Sequence, residues 1–230
     1  VSPQVAAPHP AAGPAVIDHL PDGRSRRAAA TRRAIGRSAG PLFRQLGVDG
    51  TAITAVAAAA GVGVQTVYYH YPTKAALLVG ALDAAVHGVD RRDARPRLLD
   101  LAWAVGARAE PDPQRRLFLH VRGCADLLTA GAELTQLLRA QAAGDPDLTA
   151  VVAEEDAAHR ALHRALIDSL GRELSHLTTP DQAADVLSLV LGPESWQSLV
   201  ARAGWSRLAW ARWAHRMVLA ELLGPAGSTD

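Results

Sequence analysis

Between Val64 and Lys74 the sequence VQTVYYHYPTK gathers an amide, several hydroxyls, an imidazole and an ammonium into one short stretch. A helix that offers such groups beside a small apolar core is suited to meeting phosphate oxygens and base edges. Gln65, Thr66 and Tyr69 are assigned to groove-facing positions, where Gln65 can form a paired hydrogen bond with an adenine edge and Val64 can contact a thymine methyl. Tyr68, His70 and Lys74 are assigned to docking on the phosphate backbone. The spacing by itself fits equally an ordinary helical hairpin in which the two tyrosines fill space.

Two other constellations carry chemistry on paper. Glu155, His159 and His163 recur at i, i+4 and i+8, and two imidazoles with a carboxylate suit zinc or nickel. An exposed polar stripe or a hydrogen-bond network at a dimer face accounts for the same spacing, and no H-E-x-x-H string is present. No metal or other cofactor is therefore assigned. Gly36-Arg37-Ser38-Ala39-Gly40 spells G-x-S-x-G, but that motif works by a sharp strand-to-helix turn, and these residues sit within a helical pattern. No catalytic residue is assigned, and an enzyme is not expected.

The elements that must position the polar stretch are short. Thr51 to Ala60 reads as a helix with Ile53, Val56 and Ala57 on one side, followed by a break at Gly61-Val62-Gly63 and a second helix from about Val64 to Tyr71. Ala57, Ala60 and Gly61 let the two approach, while Val62 and Val67 close the core between them. Ahead of them, Ile35, Ala39, Leu42, Phe43 and Leu46 recur at helical spacing. Pro41, with Gly36 and Gly40, predicts a kink or break near 37–41. Gly47 to Gly50 reads as a turn. Pro72-Thr73 ends the polar helix and caps the next, from Lys74 to about Val89.

This stretch resembles the N-terminal domain of the tetracycline-repressor (TetR) family of transcription regulators. The resemblance lies in Thr51, Ile53, Val56, Ala57, Ala60, Gly61, Val62, Thr66, Val67, Tyr68, His70, Tyr71, Pro72, Thr73, Lys74 and Leu77, in order. It implies a helix-turn-helix with phosphate contacts from Thr51, Tyr68 and Lys74, to which Arg32 of the preceding basic stretch is added. It also implies Tyr71 in the core at the family's usual phenylalanine position. The sequence departs from the pattern at Gly63, where a serine or threonine usually caps the helix, and at Gln65, where a small residue is frequent.

Charge agrees with a polyanionic partner. The formal net charge of the chain is only +1, yet from Arg24 to Leu82 eight basic side chains face Asp49 alone, giving +7, against −4 over 83–230. Concentrated basic charge on the helix-turn-helix segment is the electrostatic footprint that DNA requires. Apolar residues make up 49% of the chain and aromatics 4%, so the core must be built from Ala, Leu and Val, which points to helices. The single cysteine, Cys124, excludes an intrachain disulfide and a multi-cysteine zinc site. With no long uncharged apolar run and no secretory leader, a soluble cytoplasmic protein without a membrane segment is expected.

The fold expected is all-α. A flexible proline-rich arm is assigned to 1–23, the helix-turn-helix domain to 24–73, and a larger helical ligand-binding and dimerisation domain to 74–230. Helices are expected at 96–109, 113–130, 132–142, 147–175, 180–191 and 195–223. The resemblance implies that a long late helix and the last one, about 147–170 and 196–222, form a four-helix bundle in a homodimer. Trp103, Phe118, Cys124, Leu127, Leu128, Leu138 and Trp196 are candidate lining for an effector pocket, each equally fitted to plain core. The function expected is sequence-specific binding to a roughly palindromic double-stranded DNA operator by a repressor that a small-molecule effector releases. The alternative is a small-molecule-binding helical dimer with a weak or degenerate reading head.

Overall fold

The structure, a computed structural model, describes residues 23–88, 97–175 and 179–223, all helical apart from turns and short connections. Except for Gly23, the arm assigned to 1–23 lies outside the described residues. The helices are α1 (Gly23–Gly50), α2 (Ile53–Ala60), α3 (Val64–His70), α4 (Lys74–Val86), α5 (Ala102–Ala109), α6 (Pro113–Ala142), α7 (Pro146–Leu170), α8 (Pro180–Val190), α9 (Pro193–Trp196) and α10 (Arg207–Leu223). No described helix is long and apolar enough to cross a membrane.

Helix starts follow a repeated local rule. Asp112, Asp145 and Thr179 each precede a proline and accept hydrogen bonds from backbone N–H groups of the first turn, and Thr179 with Gln182 completes a capping box. Proline there loses nothing, because the first N–H groups of a helix have no carbonyl to bond. Thr73 caps α4 in the same way, accepting from Ala76 N at 3.0 Å.

Two expected breaks are absent. α1 runs through Pro41 and leaves helical geometry only at Gly47, with φ 71° and ψ 176°. Pro41 is exposed, whereas Ile35, Gly36, Ala39, Gly40 and Phe43 on the opposite side are buried. Packing of that face outweighs one missing backbone bond. α6 likewise continues through Gly131. A Cβ at Gly131 would lie 2.5 Å from Cγ2 of Val86, so this glycine permits close approach of α4 and does not end the helix. The reverse correction applies at the end of the chain. The helix expected over 195–223 is divided into α9, a π-helical turn at Gln197–Arg202 and α10, with Gly204 at φ 72° between them.

Two apolar clusters form the core. One joins α5–α8 and α10 around Leu117, Leu162, Leu166, Leu187, Trp210 and Val218. The other lies under the polar stretch and joins Ile35, Phe43, Val56, Val67, Tyr71, Leu77 and Leu78 to Leu134, Leu138 and Leu148 from α6 and α7. The buried side of the first three helices is therefore completed by α4 and by the adjoining ends of two long helices.

Candidate nucleic-acid interface and effector cavity

α2 ends at Gly61, whose left-handed φ of 67° lets its N–H reach the carbonyls of Ala57 and Ala58, while Val62 N bonds Ala57 O at 3.0 Å. This glycine-terminated turn redirects the chain within three residues. α3 then begins at Gly63, an N-cap without a side-chain bond. Val67 and Tyr71 face the core. Gln65, Tyr68 and Tyr69 face out, Tyr69 being 80% exposed. Val64 and Thr66 are half-buried beside them.

The support beneath α3 is tight. Tyr71 Oη donates to the Arg32 carbonyl at 3.1 Å, and the Arg32 guanidinium lies 3.9 Å from the centre of the Tyr71 ring while also donating to the His70 carbonyl. A Cβ at Gly80 would fall 2.3 Å from the Tyr71 ring, and one at Gly36 would fall 2.7 Å from the Gly80 carbonyl oxygen. Gly80 thus admits the phenol, and Gly36 admits the α4 backbone beside it. Lys74 donates to the carbonyls of Val48 and Asp49 at 3.3 and 2.9 Å, tying the start of α4 to the end of α1.

Three of the residues expected at phosphates are engaged within the protein. Thr51 is 0% exposed and its hydroxyl donates to the Gly47 carbonyl at 2.7 Å, where it closes the turn before α2. His70 is buried and stacks its edge against Tyr69. Arg32 holds Tyr71 and the end of α3. Lys74 is half-buried and engaged as described, whereas Tyr68 projects to solvent. Ser38 donates to the Ala59 carbonyl at 3.3 Å from within α1, as a helix–helix contact and not on a strand-to-helix turn.

A cavity of about 250 Å³ lies behind this head. Its apolar wall is Leu82 and Val86 of α4 with Leu127, Leu128, Gly131 and Ala132 of α6; its polar wall includes Thr135, Arg139, Glu155, Asp156, His159, His163, Ser188 and Glu194. Arg139 spans it, pairing with Asp156 of α7 and Glu194 of α9, while its Nε is buried without a partner. Because α4 forms one wall and begins where α3 ends, cavity and head share an element.

Residues 35–81 match the family model for bacterial regulatory proteins of the tetR family. The match spans the head alone, and this head is a tetR-type helix-turn-helix. FadR of Bacillus subtilis, in complex with stearoyl-CoA, has a TM-score of 0.64 at 13% identity over 82% of this chain and 97% of that one. NalD, the secondary repressor of the MexAB-OprM multidrug efflux pump in Pseudomonas aeruginosa, has a TM-score of 0.60 at 22% identity over 87% and 99%. A TetR transcription regulator from Haloarcula marismortui has a TM-score of 0.61 at 16% identity over 84% and 96%. Identities this low carry the TetR fold and nothing finer. No curated protein matches the sequence.

Within this TetR-like fold, Leu127 and Leu128 line the cavity, and the other candidate lining residues lie elsewhere. Leu138 belongs to the core under the head, Trp196 packs on Trp210, and Phe118 is exposed beside His215. Trp103 fits against Gly123 and the edge of His120. Glu155, His159 and His163 do share the cavity wall, but they do not converge as a ligand set. His159 Nδ1 lies 2.9 Å from the Glu155 backbone oxygen, and His163 turns inward to place Nδ1 3.0 Å from His120 Nε2. Beside that pair lies the buried thiol of Cys124. Burial lowers His120 to about 3, helped by Arg108, lowers His163 well below the imidazole range, helped by His120 and His159, and raises the Cys124 thiol. His120 and Cys124, four residues apart, are the signal the sequence held, an i, i+4 pair of soft and borderline donors on one helix face.

Proposed function

We propose that this protein is a cytoplasmic, homodimeric repressor that inserts α3 of each protomer into successive major grooves of a roughly palindromic operator, and that a small molecule entering the cavity releases it. The observation that carries the reading is the outward triad Gln65, Tyr68 and Tyr69 on a helix whose opposite side is locked by Val67, Tyr71 and Arg32. Gln65 is assigned as the principal base reader, with Val64, Thr66 and Tyr69 beside it, and Tyr68 and Lys74 as phosphate contacts. Half-sites fall about one helical turn, or a multiple, apart.

The effector reading rests on the shared wall. A molecule seated against Leu82 and Val86 displaces α4, and with it the separation of the two heads. The cavity lies just below the roughly 300–1,000 Å³ range of small-molecule sites, so the effector is small, with an apolar body and a few polar groups. For the dimer, α7 has Leu162, Leu166, Ile167 and Leu170 inside the protomer. α8, which packs on α10, is proposed to form the interface with α10 in place of 147–170. Leu189, Leu208 and Met217 are exposed on these two helices.

Selection from a pool of random duplexes, followed by sequencing, tests the reading. It requires recovery of a two-fold symmetric motif. Retention without a motif, lost at moderate salt, would instead identify a ligand-binding dimer whose head reads DNA weakly.

A further inference from the structure

The structure points to a metal site in the bundle interior, and we propose that His120, Cys124 and His163 bind a single Cu⁺ ion as an N₂S complex between α6 and α7. His120 and Cys124 stand four apart on α6, so both project from one face. His163 meets them from α7. One donor atom from each residue lies within 4.8 Å of the others, and the imidazole nitrogens are 3.0 Å apart. Two nitrogens each about 2.0 Å from one metal stand about 3.3–3.5 Å apart, so the rings need open by only a few tenths of an ångström.

His163 is 1% exposed, so an ion held by its ring would be shielded from bulk water. His163 also lines the cavity, which supplies a route from solvent to an otherwise closed interior.

Donor type and surroundings select the ion. Thiolate with imidazole suits Cu⁺ and Zn²⁺. The three groups sit among Leu117, Val121, Leu128 and Leu162, with the Trp103 ring against His120, and no carboxylate belongs to the cluster. One thiolate with Cu⁺ is neutral, whereas with Zn²⁺ it leaves one uncompensated positive charge in an apolar core. On binding, the Cys124 S–H bond breaks and its proton passes to solvent as the S–Cu bond forms. Each imidazole gives a ring-nitrogen lone pair, and the His120–His163 hydrogen bond is lost. Copper enters and remains Cu⁺, so no electron is transferred. The site is independent of the operator and effector readings.

The test uses the full chain without a histidine tag, under anaerobic conditions. Cu⁺ is supplied as its acetonitrile complex against bicinchoninate as a competing chelator. The expected result is one copper per protomer withdrawn from the chelator, with an X-ray absorption spectrum fitted by one sulfur and two nitrogens. Cys124→Ala and His163→Gln should each lose that competition while retaining the wild-type circular dichroism. Should either variant fail to fold, the wild-type stoichiometry and spectrum decide alone. Failure of the wild type to take up copper, a sulfur-free shell, unchanged uptake by a folded Cys124→Ala protein, or uptake of Zn²⁺ but not Cu⁺ would each overturn the assignment.

Discussion

Tyr71 gathers the close contacts of the head at a single ring. Its hydroxyl is satisfied by the Arg32 carbonyl, its face by the Arg32 guanidinium, and its edge by the bare backbone of Gly80. Gly80→Ala should lower stability by about 1–3 kcal/mol or more, because the added methyl meets an aromatic ring that has no free volume to enter; the midpoint of denaturant unfolding measures it. The exposed side of α3 divides differently. Gln65→Ala should remove about 1–3 kcal/mol of discrimination at one base pair. Tyr68→Phe should weaken all operator sequences alike, as titrations against the selected operator and its single-base variants will distinguish. Which polar residues faced outward was legible from helical spacing. Which imidazole or guanidinium was engaged inside was not, since His70 is buried, and Arg32 donates to the His70 carbonyl 38 residues on, only through the fold.

At the level of helices, apolar periodicity and the Asp/Thr-Pro starts sufficed to locate most elements, and the errors came from glycine and proline. Gly36 and Gly131 were read as weak points, yet each is a place where another helix comes too close for a side chain. Sequence spacing holds no record of that neighbour. Gly63 is different, being a true cap position with extended backbone, where a Cβ would make only an ordinary contact with Thr66 Oγ1 at 3.8 Å. Gly63→Ser should stabilise the protein by a few tenths of a kcal/mol by supplying the missing acceptor, while Thr73→Ala should cost about 1 kcal/mol by removing one that is present at α4. Paired thermal melts of the two variants check both signs.

For the molecule as a whole, the proposed dimer and the DNA reading are separable by experiment. Replacing Leu208 and Met217 together by glutamate removes exposed apolar surface without touching the core. The expected product is a folded monomer by sedimentation, with steep loss of affinity for a two-half-site duplex and little change for a single half-site. The larger bundle was less legible than the head, because its cavity is bounded by side chains from five helices that no local pattern links. The core under α1–α3 also draws Leu134, Leu138 and Leu148 from the long helices. A protease nick in the connection after α4 should therefore leave two pieces that stay associated, and the amino-terminal piece, once separated in denaturant, should not regain its native circular dichroism alone.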